Sequence, residues 1–126
     1  MAAEDDAGRI EVRRVYEDPR PEDGARVLVD RLWPRGLAKD AARLDAWLKD
    51  AAPSAELRRW YGHVPERYEE FAARYRAELD GPAARDAVDE LRRLAHGGPL
   101  TLLTATRDLS HAHTGVLAEV VREPGH

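Results

Sequence analysis

Two short apolar runs constrain this chain more than any other feature. Val27-Leu28-Val29 lies inside a segment spanning Arg26–Leu32, and Pro99–Ala105 reads PLTLLTA. The VLV core is continuous and apolar, so it suits a strand covered on both faces, and PLTLLTA reads as the last clear strand. Between them the apolar positions switch to helical spacing. Two strands joined by a long helical crossover lie parallel. With a further strand predicted over Ile10–Val15 (IEVRRV), the expectation is a single α/β domain: a small, mostly parallel β-sheet flanked by helices.

The helical middle can be divided by its breakers and caps. Asp40 caps a helix whose apolar positions are Ala41, Leu44, Trp47 and Leu48. Ser54 is the N-cap of a short helix with Glu56 in its first turn. Pro65 opens a helix carrying Tyr68, Phe71, Ala72, Tyr75 and Leu79, and Gly81 ends it. Pro82 opens the next, with Ala84, Ala87, Val88, Leu91, Leu94 and Ala95 facing inward and Gly97 as its stop. Ser110 caps a last helix carrying Leu117, Val120 and Val121. Residues 1–8 and 123–126 read as loose ends around one domain over 9–122.

Composition excludes more than it assigns. The chain has 126 residues, 35% of them charged, and a net charge of −4. That balance disfavours a nucleic-acid binder that works by bulk basicity. There is no cysteine, which removes disulfides, thiol nucleophiles and thiolate metal sites. No apolar run is long enough to span a membrane. The start, MAAEDDAG, lacks the layout of a signal peptide, so the cytoplasm is the expected location. There is no Walker loop, no dinucleotide fingerprint, no nucleophile elbow and no zinc spacing.

Chemistry is expected where the strands end, because ligands of open α/β sheets bind beyond the carboxyl ends of the strands. The second strand delivers Asp30, Arg31, Trp33 and Arg35. The last delivers Thr104, Thr106, Arg107 and Asp108, then a helix start with Ser110, His111 and His113. A helix N-terminus beside several arginines favours an anion, phosphate or carboxylate. Arg31 and Arg35 would clamp it, with Arg107 and Ser110 at the helix start assisting. His113, expected as the third residue of its helix, is a general base or a mere cap. Asp30 is its orienter or a structural anchor. His63, at a helix–loop junction, is a second pocket histidine or a helix closer. Trp33 is a pocket wall or a stacking platform. Arg58, Arg59, Arg67, Arg74, Arg76, Arg92 and Arg93 interleave with acidic residues and read as a solvated face.

Two other readings use the same residues. A nucleotide or nucleic-acid binding module would stack bases on Trp33 and Tyr61. Haem or a metal would bind through His63, His111 or His113, although His111 and His113 do not share a helix face. No cofactor is named by the residues, and a small anionic ligand is the expected partner.

Several motifs carry a resemblance. R-V-Y at 14–16, G-A-R-V-L-V-D-R-L-W-P-R-G at 24–36, A-P-S-A-E-L-R-R-W-Y-G-H at 52–63, R-Y-R-A-E-L at 74–79 and L-T-L-L at 100–103 are similar to the YeaO-like family of bacterial proteins. That family belongs to the group of domains of unknown function numbered 488. The resemblance covers about residues 10 to 122 and implies a parallel α/β sheet. A sister branch has a last strand and helix resembling L-L-C-A-E-K-D-P-x-H-C-H-R. Here Thr104 and Ala112 stand at its cysteine positions and Thr114 at its final arginine, while Asp108, His111 and His113 match. The resemblance therefore implies a histidine-based or purely binding role, without that branch's thiols.

Overall fold

The structure is a computed structural model, and it describes residues 8–123. Four strands form one parallel sheet: β1 (Ile10–Arg14), β2 (Ala25–Leu28), β3 (Ala46–Trp47) and β4 (Leu100–Thr104), in the order β1-β4-β2-β3. The helices are α1 (Lys39–Ala42), α2 (Ala55–Tyr61), α3 (Tyr68–Glu78), α4 (Pro82–Gly97) and α5 (His113–Arg122). The parallel pairing of β2 with β4 follows from the two apolar runs, with Val27 opposite Leu102 and Leu28 opposite Leu103.

Both faces of the sheet are covered, which is why Leu102 and Leu103 can be apolar in succession and all five β4 residues are buried. Leu100 and Leu102 join the main core with Val27, Phe71, Tyr75, Leu91 and Leu117, beneath the helices. Leu103 faces the other way and packs with Val15 and Leu28. That second face has no long helix over it. Trp33, Leu37, Leu44 and Trp47 cover it instead. The two indoles meet edge to face with centroids 5.3 Å apart.

The helix expected from Asp40 through Leu48 is therefore corrected. Only Lys39–Ala42 is helical, Arg43 turns left-handed, and Ala46–Trp47 pairs with β2 as an edge strand. Asp45 makes that switch: its backbone N–H donates to the Arg26 carbonyl, and its carboxylate accepts the Arg26 N–H, both at 2.8 Å. Bonds to a neighbouring strand outweigh the 3.6-residue spacing of a few apolar side chains. Strand β2 also ends earlier than expected, although Val29 N–H still donates to the Leu103 carbonyl at 3.1 Å.

Other local expectations fare better. Ser54 caps α2, its hydroxyl accepting from Leu57 N–H at 3.1 Å. Pro65 opens a 3-10 turn that leads into α3, and Pro82 opens α4. Ser110 is not the cap of α5. Asp108 caps a 3-10 turn over Leu109–His111, and Ala112 precedes the helix. His113 is consequently the first helical residue rather than the third. Of the expected loose ends, 1–7 and 124–126 lie outside the described residues. Gly8 N–H donates to the Ala95 carbonyl at 2.7 Å, and the Glu123 carboxylate pairs with Arg76 at 2.8 Å.

At the amino end of the sheet lies a buried ion pair. Arg26 donates to Asp23 at 2.6 Å and also to the carbonyls of Ala42 and Arg43. Burial pushes the Asp23 carboxyl up, but the Arg20 N–H and the Arg26 guanidinium outweigh it and hold the group below its usual value. No described helix is long and apolar enough to cross a membrane.

Candidate functional site

Beyond the carboxyl ends of β2 and β4 the chain forms a cleft of about 600 Å³. Its position follows from the sheet: β2 and β4 are neighbours, so the loops that leave them converge. The segment after β2 is fixed over the sheet end by side chains that donate to its backbone carbonyls, two of them from neighbouring segments. Trp47 donates to the Asp30 carbonyl at 2.7 Å, Trp33 to the Leu37 carbonyl at 2.8 Å, and the Tyr16 hydroxyl to the Arg35 carbonyl at 2.9 Å.

Asp30 ties the two strand ends together. One carboxylate oxygen accepts from the Thr104 hydroxyl at 2.7 Å and the other from Ala105 N–H at 2.8 Å. His113 lies beside it, with Nε2 at 3.5 Å from the carboxylate. The shorter bond from that nitrogen runs to the Val29 carbonyl at 3.0 Å. A carbonyl can only accept, so Nε2 carries the proton in the neutral ring. The imidazole is buried, and its ring meets Tyr75 edge-on at 5.8 Å. Burial lowers its pKa, more than the neighbouring Asp30 carboxylate and the Val29 carbonyl raise it; the charges of Arg58 and His63 lower it further.

The mouth of the cleft is basic. Arg31, Arg35, Arg58 and Arg59 line it, against Asp30 as the one lining carboxylate. Arg31 is already engaged, donating to the Ala52 carbonyl at 3.1 Å and lying 4.0 Å from Asp50, while its Nε is buried without a partner. The guanidinium groups of Arg35, Arg58 and Arg59 are exposed, and no hydrogen bond or ion pair holds them among the described residues. The sequence reading placed Arg58 and Arg59 on a solvated face; both are exposed, and both also line the cleft, which that reading did not give. The signal available was their place in α2, whose Ser54 cap fixes where the helix starts.

The remaining expected residues divide. Trp33 and His63 line the cleft. His63 takes a left-handed backbone (φ 58°) directly after Gly62. Its ring lies 5.8 Å from that of Tyr61. Arg107 and Ser110 do not line the cleft. Arg107 is exposed, and the Ser110 hydroxyl donates to Asp108, the carboxylate that also holds His111 at 2.7 Å. Tyr61 is no platform for a base. It is 4% exposed, and Phe71 stacks on its ring at 4.3 Å. Among the described residues, no group of three or more His, Asp or Glu is placed to hold a metal ion.

Comparison with known proteins places the chain. The family described as DUF488-N3i, "Inactive DUF488-N3 subclade", matches residues 9–125. The "Uncharacterized protein Rv3073c" of Mycobacterium tuberculosis H37Rv is 52% identical over 113 residues, covering 90% of this chain and 93% of the relative. The "Uncharacterized protein YeaO" of Escherichia coli K12 is 40% identical over 114 residues, covering 90% of this chain and 96% of the relative. No solved structure matches. With those identities across nearly the full length of both partners, this chain belongs to the YeaO-like DUF488 family, in the branch described as its inactive N3 subclade.

Proposed function

We propose that this protein binds a small organic anion, a phosphate or carboxylate, in the cleft at the strand ends, and that it binds rather than transforms it. The observation that carries the reading is the set of three exposed guanidinium groups, Arg35, Arg58 and Arg59, unpaired at the mouth of one cleft in a chain of net charge −4. Like charges gathered without counter-ions repel one another, and a bound anion relieves that repulsion. The first turn of α5 begins at the cleft wall with Ala112 and His113, and its backbone N–H groups add to the same field.

Asp30 reads as a structural group: both its oxygens accept bonds that tie the strand ends, and the shorter contact of His113 Nε2 runs to the Val29 carbonyl rather than to Asp30. That leaves no carboxylate partner for His113, which favours binding over turnover. The subclade's printed description, inactive, agrees. His113, Asp30 and His63 then serve as wall and support of the binding site.

A thermal-shift screen of phosphate, nucleotides, sugar phosphates and dicarboxylates tests this on the wild type, Arg35→Ala and Arg58→Ala. A ligand present at a hundred times its dissociation constant adds about 2.7 kcal/mol, several degrees for a domain of this size. The expected result is one anion class that stabilises the wild type and loses most of its effect in both variants. Equal shifts in all three proteins, or none, would overturn the proposal. Product formation from the stabilising ligand would overturn its non-catalytic part.

A further inference from the structure

The cleft has two chemically opposite ends, and the inner one says what else the ligand must carry. The inference rests on the cleft being the anion site proposed above. Its mouth offers only donors: three free guanidinium groups. Its floor is built from Asp30, Thr106 and His113, and the proton accounting there runs the other way. Thr104 has a single hydroxyl proton, and the Asp30 carboxylate takes it at 2.7 Å. The 3.2 Å contact between the Thr104 and Thr106 hydroxyls must then use the proton of Thr106. Thr106 is left with lone pairs alone. His113 spends its ring proton on the Val29 carbonyl, so Nδ1 is also a lone pair. No described group bonds Nδ1, and it is not among the buried atoms left without a partner, so it is open to the cleft.

At Asp30, Thr106 and His113 every free side-chain valence is therefore an acceptor. A bare inorganic anion would satisfy the mouth and leave this end to water. It would also occupy a small part of about 600 Å³, a volume in the range of sites for organic ligands. We infer that the ligand is an organic phosphate whose carbon skeleton carries hydroxyl or amino donors, held with its phosphate on Arg35, Arg58 and Arg59 and a donor on Nδ1 of His113 and Oγ1 of Thr106. Phosphate is favoured over carboxylate because a dianion matches the positive charge at the mouth more closely.

Matched probes test the inference: ribose 5-phosphate, pentyl phosphate and inorganic phosphate, titrated calorimetrically into the wild type, Thr106→Val and His113→Phe. All three probes carry the same charged group. Pentyl phosphate has the more apolar tail, so any hydrophobic gain favours it. The expected result is ribose 5-phosphate binding about tenfold tighter than pentyl phosphate to the wild type, the worth of one or two hydrogen bonds. The advantage should shrink in Thr106→Val and vanish in His113→Phe. The wild-type comparison stands by itself should His113→Phe fail to fold. Equal affinities for the two esters, or tighter binding of pentyl phosphate, would overturn the donor requirement and leave the basic mouth standing. Binding of none of the three phosphates would overturn the organic-phosphate inference, and a dicarboxylate that still stabilises the wild type but not Arg35→Ala would leave the anion site standing.

Discussion

Asp30 separates a structural carboxylate from a catalytic one, and its replacement gives the sharpest test. Its two oxygens accept from the Thr104 hydroxyl and Ala105 N–H, and its side chain is 16% exposed. In Asp30→Ala both donors lose their partner. A buried donor left unsatisfied costs about 1–3 kcal/mol. Thr104 is 0% exposed, so water cannot replace the carboxylate there, but its hydroxyl can turn to Thr106 at 3.2 Å and recover part of the loss. Ala105 is only half-buried and water reaches its amide, which puts that loss at the low end. The sum is roughly 2–3 kcal/mol, or on the order of 10 °C in Tm for a domain of this size. Asp30→Asn should cost about 1 kcal/mol, because its amide oxygen still accepts from Ala105 while its NH2 donates to a Thr104 oxygen that now accepts. Urea unfolding followed by tryptophan fluorescence measures both, with the m-value unchanged if only stability has moved. Trp47 is a suitable reporter, since its indole donates to the Asp30 carbonyl. A carboxylate kept for chemistry at the expense of the fold would behave oppositely, with Asp30→Ala neutral or stabilising. That outcome, or an Asn variant less stable than the Ala variant, would refute the strut.

Two further perturbations probe the frame and the buried imidazole. Gly24 has φ of 63°, and a Cβ there would lie 2.2 Å from the Pro99 carbonyl oxygen, next to the start of β4. Gly24→Ala should therefore cost about 3 kcal/mol or more, through both strain and overlap; a Tm within a degree or two of wild type would show that the Gly24–Pro99 approach is not required. The second concerns pH. The folded chain holds the His113 pKa below the usual value of 6.5, chiefly through burial, so between the folded value and about 6.5 the unfolded chain binds more protons. Stability should fall as pH drops through that window and His113→Gln should flatten the slope; parallel wild-type and variant curves of stability against pH would refute it.

The parallel sheet was legible because its signal is redundant. VLV is apolar throughout, LTLL is leucine-rich, and a helical crossover between them leaves one pairing sense. The segment over 40–48 was not legible. Leu44, Trp47 and Leu48 have helical spacing, but they meet the sheet's second face through a left-handed Arg43 and the bonds of Asp45 to Arg26. Those contacts depend on where β2 lies, which no window of neighbouring residues contains. Arg58 and Arg59 failed for a related reason. An arginine among acidic residues looks solvated in one dimension, and only the packing of α2 beside the strand ends turns these two towards a cleft.

Where the expected residues lie follows one physical logic. Asp30, His113, Arg31, Trp33 and Arg35 line the cleft because they lie at or just beyond the ends of strands whose direction was known, and position relative to a sheet is a property the chain order transmits. Arg107 and Ser110 were misplaced because the chain makes a 3-10 turn, capped by Asp108, between β4 and α5. That turn moves the helix start from Ser110 to Ala112. It also makes His113 the first helical residue, where its ring is buried and bonds to the Val29 carbonyl. A cap two residues earlier would have placed His113 in the third helical position, turned by roughly 200° about the helix axis at 3.6 residues per turn. One Asp108–Ser110 bond pair thus decides whether the cleft floor holds an imidazole lone pair at all. Asp108→Ala, by freeing the turn and releasing the cleft-lining His111 that its carboxylate holds, should weaken binding of ribose 5-phosphate. Unchanged affinity in that variant would show that the burial of His113, rather than the turn before it, sets the ring in place.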